Sequence, residues 1–324
     1  MQVSSFPQAC ETADRMQVQK AIVTGGAGFI GSHLVDRLIA EGASVVAIDD
    51  LSTGREDRVA SEADLEILDI VDFPALERVT EAVRPDAIFH LAAQASVTVS
   101  VTDPWRDLDV NVKGTMNVAQ AARSLGTPVV FSSTGGAIYG NEAPIPTPET
   151  YPPEPVAPYG ASKWAAEAYL RTWSVADGIP HAVCRLGNAY GPRQSPHGEA
   201  GVVAIFSHRL WAGEPATLFG HGDATRDYVY AGDIAAALLR AAGVAGVFNI
   251  ATGSEVPVSE IFERLREVAG VDSEPILAPL RAGELERSGL DSTRAAETLG
   301  WSAEVPLERG LEQTYRALVE EFEA

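Results

Sequence analysis

The segment Thr24-Gly25-Gly26-Ala27-Gly28-Phe29-Ile30-Gly31 follows a short apolar run at 21–24 and opens a pattern that sets Ile30, Leu34 and Leu38 on one helical face. Glycines spaced this way between a strand and a helix have separate uses. Gly25 permits a tight turn, Gly28 lets the backbone approach a phosphate, and Gly31 allows the helix to pack closely on the strand. The turn therefore sets a pyrophosphate at a helix N-terminus, where unpaired N–H groups and the helix dipole favour an anion. An acid follows at the matching distance: Asp49 ends the second strand candidate, 18 residues beyond Gly31. Its carboxylate would accept from both ribose hydroxyls and repel a 2′-phosphate, which favours NAD over NADP. Asp50 competes for the role, but its side chain alternates to the other face of the strand end.

From Lys20 the chain repeats a short β-branched run, a turn and an apolar pattern at helical spacing. Strand candidates fall at 21–24, 45–49, 66–70, 87–91, 128–132 and 182–186, and helix candidates at 30–40, 105–123 and 163–173. The alternation predicts an α/β fold: a doubly wound, Rossmann-type parallel sheet of at least six strands with a smaller C-terminal α/β substrate-binding lobe. Residues 1–17 read as a leader, either disordered or an artefact of the start site, since a second Met stands at Met16. Residues 18–186 form the NAD-binding domain in this reading. Residues 187–324 form mainly the substrate lobe, interleaved with the first, because the run 247–251 looks like a buried strand that returns to the main sheet.

Charge narrows the function classes. Lys plus Arg is 24 against 45 for Asp plus Glu, a balance of −21 that argues against nucleic acid or an anionic membrane as the main partner. An anionic ligand must then be held by a local cluster. Two cysteines, Cys10 and Cys184, give no disulfide framework, and neither a secretory signal nor a membrane-length apolar run is present. These features predict a cytoplasmic protein.

A second constellation is Tyr159-Gly160-Ala161-Ser162-Lys163. Four residues apart on a helix, Tyr159 and Lys163 share a face, and an ammonium beside a phenol should lower the phenol pKa and make it a general base. The chain holds only three lysines, Lys20, Lys113 and Lys163, so this one is a poor candidate for surface decoration. Ser132, Ser133 and Thr134 end the fifth strand candidate, at the carboxyl edge where such sheets bind ligands, and their hydroxyls could position a substrate oxygen.

Together TGGAGFIG, Asp49, HLAAQASV (90–97), NVKGT (111–115), SSTGGAIYG (132–140), YGASK and RLGNAYGPRQ (185–194) resemble the extended short-chain dehydrogenase/reductases. Among these the chain looks most like the UDP-glucose 4-epimerases and related nucleotide-sugar epimerases, from about residue 16 to about residue 313. The resemblance implies Tyr159 as base, Lys163 as its electrostatic partner and ligand of the nicotinamide ribose, and Thr134 as the hydroxyl bonded to the sugar 4-OH. For the cofactor it implies Gly25, Gly28, Phe29, Ile30, Gly31 and Asp49, then Asp69 and Ile70 at the adenine. Leu91, Ala92, Ala93, Gln94, Asn111 and Ser132 complete that set, with Gln94 and Asn111 beside the nicotinamide half. For a UDP-sugar it implies Asn188, Arg226, Arg281 and Glu284 around the diphosphate and uridine ribose, and no metal. Two arginines supply the fork-shaped donors that phosphates need.

Relatives that dehydrate or decarboxylate the sugar carry acids just after the strand-end Ser/Thr, whereas Thr134 is followed by Gly135, Gly136 and Ala137. Simple 4-epimerisation, which needs only Tyr159, is thus the leading expectation. A UDP-glucuronate 4-epimerase and a dehydratase are alternatives. Some uronate-specific relatives carry Arg where this chain has Ser195, and His197 nearby reads as a solvated loop residue. A non-catalytic NAD-binding regulator is the reading from another class; the retained Tyr/Lys pair and substrate arginines argue against it. The resemblance also implies a homodimer in which helices 105–123 and 163–173 pair across a two-fold axis. Finally, the seventh residue after Arg281 is Ser288, at a position that faces the sugar ring in the relatives. A small side chain there, or Gly289 if the alignment is off by one, leaves room for a 2-acetamido group, so UDP-GlcNAc is expected beside UDP-Glc.

Overall fold

The computed structural model describes residues 16–198, 201–281 and 285–323. The chain runs β1 (Lys20–Thr24), α1 (Phe29–Ala40), β2 (Ser44–Asp49), β3 (Asp64–Ile67), α2 (Phe73–Val83) and β4 (Ala87–His90). It continues through α3 (Val97–Thr102), α4 (Pro104–Leu108), a π-helical turn (Asp109–Gly114), α5 (Thr115–Arg123), β5 (Val129–Thr134), α6 (Pro158–Asp177) and β6 (Ala182–Leu186). The remainder is β7 (Asn188–Tyr190), α7 (Val202–Trp211), β8 (Thr217–Phe219), β9 (Thr225–Arg226), β10 (Tyr228–Tyr230), α8 (Ala231–Arg240), β11 (Gly246–Ile250), β12 (Val256–Pro257), α9 (Val258–Ala269), β13 (Ile276–Ala278), α10 (Thr293–Leu299) and α11 (Leu307–Glu323).

Seven strands form one parallel sheet in the order β11-β6-β5-β4-β1-β2-β3. The inner strands are apolar on both faces, as a sheet covered by helices on both sides requires. The edge strand β3 carries Asp64 and Glu66 and is largely exposed. Alternate side chains of β1 feed two cores: Ala21 and Val23 join Leu34, Leu38, Ile234 and Leu238, while Ile22 joins Val118, Phe131 and Leu170. Because β1 pairs with β2 on one side and β4 on the other, connections leave in opposite directions there, and a crevice opens at the carboxyl ends. The second lobe packs α7, α9 and α11 around Phe206, Phe262, Leu265 and Leu311.

Three expected elements differ. The strand placed at 66–70 is Asp64–Ile67, and residues 68–70 leave the sheet to line the crevice. The single helix expected over 105–123 is α4, a π-helical turn and α5. The helix expected at 163–173 starts earlier, at Pro158, so Tyr159 lies inside it, and it ends at Gly178 in the left-handed conformation. The leader lies outside the described residues except for Met16 and Gln17.

Candidate active site

The crevice is a cleft of about 300 Å³. Gly25 adopts φ +72°, and a Cβ there would lie 2.6 Å from the Ala92 nitrogen, so only glycine fits between the ends of β1 and β4. A Cβ on Gly31 would lie 2.0 Å from the Gly25 oxygen; this glycine lets α1 close on the turn itself. Gly28 is the N-cap of α1, with no capping side chain and no acid in the first helical turn, which leaves the first N–H groups to an anion. Phe29, Ile30, Asp49, Asp69, Ile70, Leu91, Ala92, Ala93, Gln94 and Ser132 all line the same cleft. So does Arg106, which the sequence reading missed.

Asp49 is nearly buried, and both of its oxygens accept backbone N–H groups, from Ala27 at 3.0 Å and Leu51 at 3.0 Å. Burial raises its pKa and these two hydrogen bonds lower it, so the acid also braces the glycine turn. Asp50 instead takes Ser52, through its N–H at 2.9 Å and its hydroxyl at 2.6 Å. Asn111 does not line the cleft. It sits behind Gln94, accepting from the Gln94 N–H at 3.0 Å and donating to the Gln94 carbonyl at 2.9 Å. The π-helical turn carries it, a distortion that recurs at functional sites.

The cleft wall at β4 rests on a buried neutral histidine. Thr115 Oγ1 donates to the Asn111 carbonyl at 2.6 Å, so it accepts from His90 Nε2–H at 2.9 Å, and Nδ1 accepts from Thr24 Oγ1 at 2.7 Å. Complete burial, aided by the Lys163 charge, pushes the His90 pKa down to about 3.

Beside the cleft, β5 and α6 bring Thr134, Tyr159 and Lys163 together. Thr134 Oγ1 accepts from the Ala137 N–H at 3.2 Å and is hydrogen-bonded to the Tyr159 phenol. Lys163 Nζ donates to the Ser132 carbonyl at 3.0 Å and lies 4.7 Å from the centre of the Phe131 ring. The electrostatics reverse the expectation of a depressed phenol. Burial and the nearby Asp107 carboxylate push the Tyr159 pKa up to about 12, against the Thr134 hydrogen bond, and burial lowers that of Lys163 to about 8. Spacing reveals which residues share a face; it does not reveal how much water their folding removes.

Below the site lies a polar network that the sequence reading also missed. Ser133 Oγ donates to Glu167 at 2.5 Å, Arg185 Nη2 donates to Glu167 Oε2 at 2.6 Å, and Arg185 Nη1 donates to Tyr139 Oη at 2.9 Å. Tyr139 in turn donates to Asn249 Oδ1 at 2.8 Å. The ion pair is fully desolvated, and every partner is hydrogen-bonded, as such burial demands.

A second cavity joins Gly135, Gly136, Asn141, Arg287 and Ser288. Ser288 is held by its N–H to the Thr225 carbonyl at 3.1 Å. Asn188 starts β7, its Oδ1 near Gly136, while Arg226 donates to the Thr225 carbonyl at 2.8 Å and the Arg281 guanidinium lies 4.1 Å from the Phe219 ring centre. Glu284 lies outside the described residues.

The NAD dependent epimerase/dehydratase family matches residues 21–251. A UDP-glucose 4-epimerase of Mycolicibacterium smegmatis is 46% identical over 304 residues, covering 91% of this chain and 97% of that protein. A UDP-glucose 4-epimerase structure from Thermotoga maritima, solved with UDP-glucose, has a TM-score of 0.91 at 44% identity over 94% of this chain and 99% of its own. The UDP-glucose 4-epimerase of Thermus thermophilus in complex with NAD has a TM-score of 0.86 at 42% identity, over 92% and 98% of the two chains.

Proposed function

Since the chain belongs to the NAD dependent epimerase/dehydratase family, we propose that it interconverts UDP-glucose and UDP-galactose through a transient 4-keto sugar, with NAD in the glycine-turn cleft. The observation that carries this reading is the Thr134–Tyr159 hydrogen bond, with Lys163 one helical turn on and bonded to the carbonyl of Ser132, which lines that cleft. The cleft suits a dinucleotide: its turn tolerates no Cβ at Gly25 or Gly31, and α1 opens uncapped. Gly25, Gly28, Phe29, Ile30 and Gly31 would hold the pyrophosphate, Asp49 the ribose, and Asp69 with Ile70 the adenine. When bound, NAD would supply the acceptor for the C4 hydride and the donor for its return to the opposite face of the sugar.

The residues of the chain handle the proton and the geometry. Tyr159 acts as a base only as the phenolate. The protein alone holds it as a neutral phenol, and a cationic ring bound in the adjoining cleft would favour its ionised form. That form would take the 4-OH proton and later give it back, while Thr134 holds that oxygen within reach. Lys163, one helical turn on from Tyr159, holds its ammonium on the Ser132 carbonyl. In the sequence, the residues that follow Thr134 (Gly135, Gly136 and Ala137) carry no acid or base. At Gly135 a Cβ would lie 2.3 Å from Leu290 Cδ1 and 3.1 Å from the Leu186 carbonyl, so a larger side chain there must displace Leu290. This favours epimerisation over dehydration. Asn188, Arg226 and Arg281 would grip the diphosphate and uridine while the sugar turns over. Ser288, which lines a small cavity of about 20 Å³ with Gly135 and Gly136, supports acceptance of UDP-GlcNAc as well through its short side chain.

The active species in this reading is a homodimer. Val101, Trp105, Leu108, Trp164 and Tyr169 expose apolar surface on α3, α4 and α6, with Trp105 75% exposed, and a second copy of the chain would cover it. Among the described residues, no helix is long and apolar enough to cross a membrane. Dependence on NAD and a UDP-sugar suits an enzyme of galactose metabolism in the cytoplasm. The test is product analysis of purified protein given UDP-glucose, UDP-galactose or UDP-GlcNAc. Conversion at C4 supports the reading, and NAD binding without turnover points instead to a regulator.

A further inference from the structure

Asp107, at the end of α4, is a carboxylate with 1% of its surface exposed. Its Oδ1 accepts from two neutral amides, Gln94 Nε2 at 2.9 Å and Asn111 Nδ2 at 2.9 Å. Each amide leads to a different wall of the site. Gln94 lines the cleft, and Asn111 fixes its backbone through the reciprocal pair described above. The two hydrogens of Asn111 Nδ2 go to the Gln94 carbonyl and Asp107 Oδ1, and Ser162 Oγ at 3.2 Å shares one of them in a bifurcated contact, while Ser162 donates to the Tyr159 carbonyl at 3.0 Å. Ser162 stands between Tyr159 and Lys163 on α6, so the chain Asp107–Asn111–Ser162 ends on the helical turn that presents both.

The buried charges need an account. Glu167, on the helix of Lys163, is committed to Arg185 from β6 through paired donors. His90, facing from β4, is neutral. Tyr159 is a neutral phenol, and Ser132 from β5 offers a carbonyl dipole. Asp107 accepts from amides that carry no charge, and its field raises the Lys163 pKa against the effect of burial more than that of Glu167, which acts in the same direction. A buried cation without an anion nearby would shed its proton.

We propose that Asp107 is a positioning residue: through Asn111 and Gln94 it fixes the helical turn that presents Tyr159 and Lys163, and its carboxylate is the counter-charge for the Lys163 ammonium. The proposal rests on the reading of Tyr159 and Lys163 as the reacting pair, but its test does not need turnover. With only three lysines in the chain, ε-carbon-labelled lysine gives three NMR signals, and Lys163→Met identifies the one that belongs to Lys163. In full-length Asp107→Asn, the Lys163 titration midpoint is expected to fall by about one pH unit. Asp107→Glu, which keeps the charge, should restore most of that shift. A folded Asp107→Asn protein with the parental midpoint overturns the proposal. Asp107→Ser, neutral and small enough to admit a water, gives the same readout if the amide variant does not fold. Failure of both neutral variants to fold makes Asp107 a folding residue and also overturns it. A parent protein without epimerase turnover, but with the expected shift, would remove the proposed function and leave this inference standing.

Discussion

Lys163 Nζ donates to the Ser132 carbonyl at 3.0 Å, one helical turn beyond Tyr159, so the ammonium is anchored to the strand that ends in Thr134. The anchor ties the helix of the base to the strand of the hydroxyl. Both can therefore meet one sugar oxygen without first being ordered by it.

Tyr159→Phe keeps the ring and removes the proton carrier. Turnover of UDP-galactose is expected to fall by about 10²–10⁴, with NAD and UDP affinities nearly unchanged. Steady-state kinetics and calorimetric binding on the same preparation check both halves.

Asp49→Ser removes one acceptor for the ribose and one for the Ala27 N–H at 3.0 Å. NAD affinity should drop about 10–100-fold, the scale of lost hydrogen bonds to a charged group, while discrimination against NADP relaxes. Titrating both dinucleotides measures this, and equal binding of NADP by the parent would undo the assignment.

The glycine turn, Asp49, the strands at 21–24 and 182–186 and the Tyr159/Lys163 pair were legible because each depends on local spacing. What stayed hidden depends on distance or on water. A helical apolar pattern runs through 105–123, and the extra residue of the π-helical turn that carries Asn111 leaves no mark in that pattern. Tyr139 and Asn249 are 110 residues apart in the chain yet bonded at 2.8 Å, so only the fold introduces them. The Tyr159 pKa moves up instead of down because burial and Asp107 act on it, and neither can be read from a four-residue spacing. Likewise residues 68–70 look like strand because the cleft needs the apolar side chain of Ile70.

His90 gives a pH prediction of definite sign. Its folded pKa is about 3 against an ordinary 6.5, so the unfolded chain binds more protons between these values. The stability from keeping it neutral is fully present above pH 6.5 and is lost as pH falls toward 3. Denaturant melts of the parent should weaken between pH 6.5 and 4. In His90→Gln the loss should be smaller by about 3 kcal/mol.

Ser288→Tyr places a ring beside Gly135 and Gly136. It should abolish conversion of UDP-GlcNAc and retain that of UDP-glucose. If the parent ignores UDP-GlcNAc, or the variant keeps it, pocket size is set elsewhere.

The central claim is C4 inversion by the pair Tyr159 and Lys163, and the most direct measurement is the product formed from pure UDP-galactose with NAD present. The account predicts UDP-glucose, the same equilibrium mixture from either sugar, and an initial rate with Tyr159→Phe lower by about 10²–10⁴. Unchanged UDP-galactose, a 4-keto-6-deoxy product, or a parental initial rate with Tyr159→Phe would contradict it.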